Sequence, residues 1–122
     1  MESRRLIFLF ILMFVSFQSN SEPNTISSKD ASFNIGKNVI ACGHIKEISS
    51  FSKGTYLNYD NKYPNQSLTV VIFDDRLSSV IQHVGNVDNL LNKQVCVAGK
   101  VSEYRGRHQI VLNNGYSIKL KE

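Results

Sequence analysis

Two cysteines, Cys42 and Cys96, are the residues of this 122-residue chain whose types and positions most clearly suggest chemistry. Each lies in a segment where apolar residues alternate with smaller or more polar ones, Val39–Ile45 and Val95–Val101. Each cysteine stands at an odd offset from its segment's glycine, so its side chain should face away from the apolar row. If the segments are antiparallel neighbours, a disulfide is geometrically feasible and stabilises by roughly 2 to 4 kcal/mol. The alternative is two buried thiols packed as small hydrophobes.

The other groups that could do chemistry form no catalytic pattern. The adjacent pair Asp74 and Asp75 is better suited to capping a helix than to acid–base catalysis. His44, His83 and His108 lack the spacing of metal ligands, the cysteines form neither a CxxC nor a zinc motif, and no nucleophile motif is present. We therefore expect a non-enzymatic protein without a metal ion or cofactor. The carboxylates that lie scattered along the chain are Glu47, Asp60, Asp74, Asp75 and Glu103.

The first 21 residues have the order of a secretory signal peptide, with a basic start, an apolar run and small residues before a cleavage point. These features are Arg4 and Arg5, the run Leu6–Val15, and Ser19 and Ser21. The alternative is an uncleaved membrane anchor, but the apolar stretch is short against the ~20 residues of a spanning helix. We expect cleavage before Glu22 and a secreted or periplasmic protein, in which an even number of cysteines usually means a disulfide.

The remaining residues suffice for one small domain with a thin core. Their composition predicts a polar leader over residues 22–32 and a domain over 33–122. The net charge of the whole chain is +4. Such a mildly basic balance suits phosphate backbones or an acidic partner, and it is also ordinary for a soluble protein.

Alternation and turn residues predict a chain of strands with one helix. The predicted strands are Asn38–Ile48, Thr55–Tyr59, Leu68–Phe73, Gln94–Tyr104, His108–Leu112 and an edge strand at Tyr116–Leu120. Glycines inside the first and fourth strands indicate a bend or a close backbone approach. The helix begins at the Asp74 and Asp75 pair, has apolar residues at helical spacing from Leu77 to Val84, and ends at Gly85. A loop is predicted over 49–54.

The order of three strands, a helix and two strands resembles the OB-fold, specifically the small OB-fold domains of exported bacterial proteins. The runs that carry the resemblance are I-G-K-N-V-I-A-C-G-H-I, Y-P-N-Q-S-L-T-V-V-I-F and V-C-V-A-G-K-V-S-E-Y-R-G-R-H-Q-I-V-L. The resemblance implies an all-β fold with one short helix, built as a five-stranded barrel. It also implies that the first strand pairs with the fourth, which would set Cys42 near Cys96, and that the helix plugs the barrel.

The resemblance further implies a ligand site. OB-folds bind oligonucleotides or sugars on strands two and three and on the loops joining strands one to two and four to five. The residues that it places there are Phe51, Lys53, Tyr56, Asn58, Phe73, Tyr104, Arg105 and Arg107. Bases stack on such rings for roughly 1 to 3 kcal/mol each, and cations follow the phosphate backbone. We therefore expect binding of single-stranded DNA or RNA.

Each of these residues also has a purely structural interpretation. Tyr56 and Phe73 could cover a barrel edge or pack under a loop, and Lys53 could be a solvated loop charge. Tyr104–Arg107 could be a polar hairpin in which Gly106 permits a positive φ. At the level of function, the alternatives are a protein-interaction or envelope-stress module that binds another exported protein, and a module that binds an oligosaccharide or small ligand on the same face.

Overall fold

The computed structural model describes residues 23–121, and they form eight strands with one α-helix. The elements are β1 (Asn24–Ser27), β2 (Asn38–Phe51), β3 (Gly54–Tyr59), β4 (Leu68–Phe73), α1 (Asp74–Val84), β5 (Gln94–Lys100), β6 (Ser102–Tyr104), β7 (Arg107–Val111) and β8 (Ile118–Leu120). The predicted signal peptide, residues 1–21, lies outside the described residues. Within them, no helix has the length and apolar character needed to cross a membrane.

The strands follow the order β6-β7-β4-β3-β2-β5-β8, and β1 pairs in parallel with β2 off this path. β4 and β7 are parallel, and the other pairs along the path are antiparallel. The long β2 pairs with both β3 and β5, as the predicted pairing of first and fourth strands requires. A mostly β fold with one short helix is thus confirmed. A closed five-stranded barrel is not, because the hydrogen-bonded path through the described residues ends at β6 and β8.

The alternating rows of β2 and β5 supply one wall of the core, as their pattern predicts. Val39, Ala41 and Ile45 are buried on β2, and Val95 and Val97 on β5. The glycines in these rows make close approaches possible. A Cβ at Gly43 would overlap the Ser28 side chain, and a Cβ at Gly99 would lie 2.5 Å from Ile110 Cγ2.

The disulfide predicted between the two cysteines is present. Cys42 stands directly opposite Cys96 in the antiparallel β2–β5 register, with 4.1 Å between their Cα atoms. The bond therefore joins the two strands that carry the alternating rows, on the face turned away from the apolar residues.

β2 continues beyond its predicted end, as far as Phe51, and it contains a bulge. The β2–β3 register shifts between Ile45 and Glu47, which reverses the facing of every later residue. Ile45 is fully buried before the shift, and Ile48 packs against the core after it. The outward side chains in the second half of β2 are consequently Glu47, Ser49 and Phe51. Only a two-residue turn remains of the predicted loop over 49–54.

The segment predicted as a polar leader, 22–32, differs from that prediction where it is described. Residues Asn24–Ser27 form β1 and Ser28–Phe33 form a 3-10 helix. The physical reason is burial: Ile26 packs against the core, and both Ser28 and Ala31 are inaccessible to solvent. This segment is an integral part of the domain.

Two further predicted strands are shorter in the structure. The strand predicted over Gln94–Tyr104 is interrupted at Val101, because Val101 exchanges backbone hydrogen bonds with Gly36 and Lys37 instead of with a sheet neighbour. The predicted edge strand Tyr116–Leu120 is reduced to β8, since the chain before it turns through a 3-10 helix over Gly115–Ser117.

The predicted helix is confirmed, whereas the predicted cap is wrong. α1 ends at Gly85, whose φ of 79° lies in the left-handed region that glycine favours. Its N-cap position is Phe73, which makes no side-chain cap hydrogen bond. Asp74 and Asp75 lie in the first turn, where their charges interact favourably with the helix dipole.

Candidate functional site

The strand registers create a continuous outward face across β6, β7, β4, β3 and β2. Cross-strand partners point to the same side of a sheet. A row of five polar residues therefore crosses this face: Ser102, Gln109, Thr69, Asn58 and Glu47. The row places polar groups on a surface that also carries rings and arginines.

An aromatic cluster lies beside this row, and we call it the aromatic face: Phe51, Tyr56, Phe73, Tyr104 and Arg107. The rings of Phe51 and Tyr56 stack with centroids 4.3 Å apart and an interplanar angle of 9°, and Phe73 meets Phe51 edge-on at 6.1 Å. The guanidinium carbon of Arg107 lies 5.0 Å from the Tyr56 ring centroid and 5.9 Å from that of Tyr104. Cation and rings thus form one surface, within the range of cation–π attraction.

A tight hairpin carries the second arginine of the site. Arg105 and Gly106 have φ values of 49° and 78°, the pair of positive angles that a type I′ turn between β6 and β7 requires. The Arg105 guanidinium lies 5.3 Å from the ring centroid of Tyr104. Among the ion pairs of residues 23–121, none includes Arg105 or Arg107. Both guanidinium groups therefore keep donors available for an anion.

A groove of about 480 Å³ adjoins the aromatic face through Tyr56 and Arg107. We call it the polar groove, and its lining residues are Glu47, Ser49, Ser50, Tyr56, Asn58, Tyr63, Arg105 and Arg107. Its volume lies in the range of ~300 to 1,000 Å³ typical of small-ligand sites.

Hydrogen bonds fix the floor of the polar groove. The Asn58 amide donates to Glu47 Oε1 at 2.8 Å, and the backbone N–H of Tyr63 donates to the same oxygen at 2.9 Å. Thr69 Oγ1 donates to Asn58 Oδ1 at 2.7 Å, and Gln66 Nε2 donates to Thr69 Oγ1 at 3.1 Å. The bond from the Tyr63 backbone and then that from Asn58 lower the pKa of Glu47. Glu47 is therefore a fixed, ionised carboxylate at neutral pH.

The structure brings most of the predicted site residues together. Phe51, Tyr56, Phe73, Tyr104 and Arg107 line one shallow cavity of about 260 Å³ with Val71 and Gln109.

The other three predicted residues lie in different settings. Arg105 borders the polar groove. Asn58 faces outward, yet it is only 3 % exposed, and its amide is engaged by Glu47 and Thr69. Lys53 lies apart, in the β2–β3 turn, and lines a separate cavity beside the first turn of α1.

The sequence did not indicate four of the residues that line the polar groove: Glu47, Ser49, Ser50 and Tyr63. Two of them, Glu47 and Tyr63, are joined by a hydrogen bond. In the sequence, Glu47 is one of several scattered carboxylates. In the structure, the bulge in β2 places it on the outward face beside Asn58. Tyr63 lies in the turn between β3 and β4, and its backbone bond to Glu47 brings that turn back over the sheet. No local sequence signal marks either position.

Solved structures similar to this chain share its architecture at low sequence identity. A structure of the Stn1-Ten1 complex of S. pombe has a TM-score of 0.52 at 20 % identity, covering 69 % of this chain and 57 % of that one. A putative aspartyl-tRNA synthetase from Leishmania major Friedlin has a TM-score of 0.54 at 9 % identity, covering 85 % and 22 %. An OBody bound to hen egg-white lysozyme has a TM-score of 0.58 at 14 % identity, covering 84 % and 98 %.

These likenesses support an OB-fold for the chain, and at such identities they show the fold alone. The chain spans little more than half of the Stn1-Ten1 chain and less than a quarter of the synthetase chain. No protein-family model matches the chain, and no curated protein matches it. Within residues 23–121, no three His, Cys, Asp or Glu side chains are grouped as metal ligands.

Proposed function

We propose that this protein is a non-enzymatic binding module that holds single-stranded nucleic acid on the aromatic face and the polar groove. The observation that carries the proposal is the position of Arg107, whose guanidinium lies over Tyr56 and near Tyr104 on the outward face of the sheet. Surfaces that hold single strands combine rings, on which bases stack, with cations that follow the backbone.

The exposed rings offer the stacking surfaces. Tyr104 is 47 % exposed and Phe73 is 37 % exposed, whereas Phe51 and Tyr56 are already stacked on each other. A base placed on Tyr104 or Phe73 would contribute roughly 1 to 3 kcal/mol. Ring contacts of this kind accept every base, so they supply affinity without sequence preference.

The two arginines supply the complementary charge. A planar guanidinium can donate two parallel hydrogen bonds to a phosphate. Arg105 and Arg107 both line the polar groove and are free of ion pairs with the described carboxylates. A strand that stacks on Tyr104 would therefore bring its backbone within reach of both arginines.

We further propose that the module acts as a secreted or periplasmic protein. Two features support this location: the signal-like order of residues 1–21 and the bond between Cys42 and Cys96. Disulfides persist in oxidising compartments and are rare where thiols are kept reduced.

Fluorescence anisotropy with labelled single-stranded DNA and RNA tests the proposal at low salt. Replacing both arginines, as Arg105→Asn with Arg107→Gln, should weaken binding about a hundredfold or more, because each of the two lost charge-assisted bonds contributes ~1.5 to 3 kcal/mol. The matched control is Lys119→Gln with Lys121→Gln, which removes the same charge at and beside β8. This control should bind within a factor of about two of the unsubstituted protein.

Two results would contradict the proposal. Equal losses in the site variant and the control would mean that net charge alone drives binding. An absence of binding at low salt would reject nucleic acid as the ligand, and another exported protein or an oligosaccharide would then be the next ligand to test.

A further inference from the structure

We propose that Glu47 sets a base preference in the polar groove by accepting a hydrogen bond from the exocyclic amino group of a bound base. Cytosine-bearing strands should then bind more tightly than thymine-bearing ones. This inference deepens the proposed function and rests on it.

One carboxylate oxygen of Glu47 remains available to a ligand. Both hydrogen bonds to the carboxylate, from Asn58 and from the Tyr63 backbone, go to Oε1. Among the hydrogen bonds and ion pairs of residues 23–121, none engages Oε2. A ligand in the polar groove therefore meets an ionised acceptor.

Two hydrogen bonds hold the Glu47 carboxylate in place. Asn58 is buried and is itself fixed by Thr69, so the bond from Asn58 to Glu47 starts from a rigid donor. The second donor is backbone. A side chain fixed in this way loses little conformational entropy when a ligand binds, so its hydrogen bond can discriminate between ligands.

The two arginines of the groove form no ion pair with this carboxylate. Glu47, Arg105 and Arg107 line the same groove, yet no ion pair within 4.0 Å joins Glu47 to either arginine. The guanidinium groups of Arg105 and Arg107 are therefore available for phosphate, and the carboxylate of Glu47 is available for a base.

Base chemistry then determines which pyrimidine fits. Cytosine carries an amino donor at N4, which Asp and Glu side chains accept, whereas thymine carries the O4 acceptor at the same position. A carboxylate oxygen bonds the first and repels the second. The two bases have rings of similar size, so stacking on Tyr104 or Phe73 should differ little between them.

The variant Glu47→Gln converts this acceptor into a donor without changing the shape of the side chain. The amide oxygen of the new side chain would keep the bonds from Asn58 and Tyr63, which leaves its NH₂ group where Oε2 was. The preference should therefore disappear or turn toward thymine. The matched control is Glu103→Gln, which removes the same charge at a β6 residue that does not line the polar groove.

The test is a set of anisotropy titrations with oligo(dC) and oligo(dT) of about 12 nucleotides, within the ~4 to 16 that one OB-fold covers. The readout is the ratio of the two dissociation constants at neutral pH and fixed salt, because a general gain from losing a negative charge cancels in the ratio. We expect the unsubstituted protein and Glu103→Gln to favour oligo(dC) about fivefold, the effect of one net hydrogen bond. Glu47→Gln should reduce the ratio to unity or invert it.

The possible failures are distinguishable. Equal binding of both oligonucleotides by the unsubstituted protein overturns this inference and leaves the proposed function intact, and this result needs no variant to fold. A preference that survives in Glu47→Gln assigns the selectivity to other residues and also overturns it. Binding of neither oligonucleotide overturns this inference, whereas the proposed function is overturned only when single-stranded RNA also fails to bind.

Discussion

Arg105 and Arg107 carry similar charges but occupy different backbone conformations. Arg107 begins β7, whereas Arg105 has a φ of 49°, in the left-handed region where a Cβ costs roughly 1 to 2 kcal/mol. The sequence predicted the turn through Gly106, and it predicted both arginines as site residues. It could not show that Arg107 would lie over Tyr56, because that contact depends on pairing between strands distant in sequence.

Replacing Arg105 by Asn should weaken binding without lowering the stability of the fold. Asn tolerates the left-handed region, so Arg105→Asn should leave the free energy of unfolding unchanged or raise it by up to about 1 kcal/mol. Urea denaturation checks this expectation. The control Arg105→Ala removes the same charge, but Ala lacks the side-chain hydrogen bonding by which Asn tolerates the left-handed region. A less stable Arg105→Asn than Arg105→Ala would therefore contradict the assignment of the turn.

The carboxyl group of Glu47 should make stability depend on pH in the acid range. Its pKa is lowered from an ordinary 4.5 by the Tyr63 N–H and the Asn58 amide. A group with a lowered pKa in the folded state stabilises the fold above its unfolded pKa, and this contribution is lost as pH falls through the folded pKa. As the pH falls below 4.5, the unsubstituted protein should therefore lose free energy of unfolding relative to Glu47→Gln, which has no carboxyl group at this position. Denaturation curves across this range measure it, and a difference independent of pH would contradict it.

For β2 to β5 and for α1, the periodicity of apolar residues predicted the position of the element and its buried face. Alternation located β2 to β5 and placed Val39 and Val95 inward, and helical spacing located α1. The bulge after Ile45 left no trace in composition, although it decides that Glu47 and Phe51 face outward. The sequence thus indicated Phe51 for the site and missed Glu47, because the facing of a strand residue depends on its register as well as on its position.

Gly99 in β5 allows β5 and β7 to approach closely. A methyl group at position 99 would lie 2.5 Å from Ile110 Cγ2 on β7, so Gly99→Ala should destabilise the protein by about 1 to 3 kcal/mol through overpacking. In an Ile110→Ala background that contact is gone, and the added methyl should cost close to nothing.

A double-mutant cycle measured by chemical denaturation gives this coupling energy. The control pair is Gly99→Ala with Leu120→Ala, since Leu120 is exposed on β8 and does not meet the new methyl. Equal costs of Gly99→Ala in all backgrounds would show that the glycine serves some other purpose.

For the whole molecule, the disulfide joins β2 to β5, next to the β8 end of the strand path. It closes a loop with a sequence separation of 54 between Cys42 and Cys96. Its presence could be predicted from the parity of the cysteines once their strands were taken to be neighbours. The participation of residues 24–33 in the domain could not, because their polar composition hides the few contacts, at Ile26, Ser28 and Ala31, that bury them.

Removing the disulfide should lower the free energy of unfolding by roughly 2 to 4 kcal/mol, chiefly by enlarging the ensemble of the unfolded chain. The variant Cys42→Ala with Cys96→Ala and the reduced unsubstituted protein should lose similar amounts in denaturation experiments. Adding reductant to the double variant is the control and should change nothing. A double variant as stable as the oxidised protein would contradict a stabilising role.

The salt dependence of binding to a labelled single strand tests whether the aromatic face and polar groove form a nucleic-acid interface. The logarithm of the association constant should fall linearly with the logarithm of salt concentration, with a slope of about −1.4 for two phosphate contacts on a single strand. Most of that slope should vanish in the variant Arg105→Asn with Arg107→Gln. Binding that does not respond to salt, or a slope that is unchanged in this variant, would contradict a phosphate-binding role for the two arginines and with it the proposed interface.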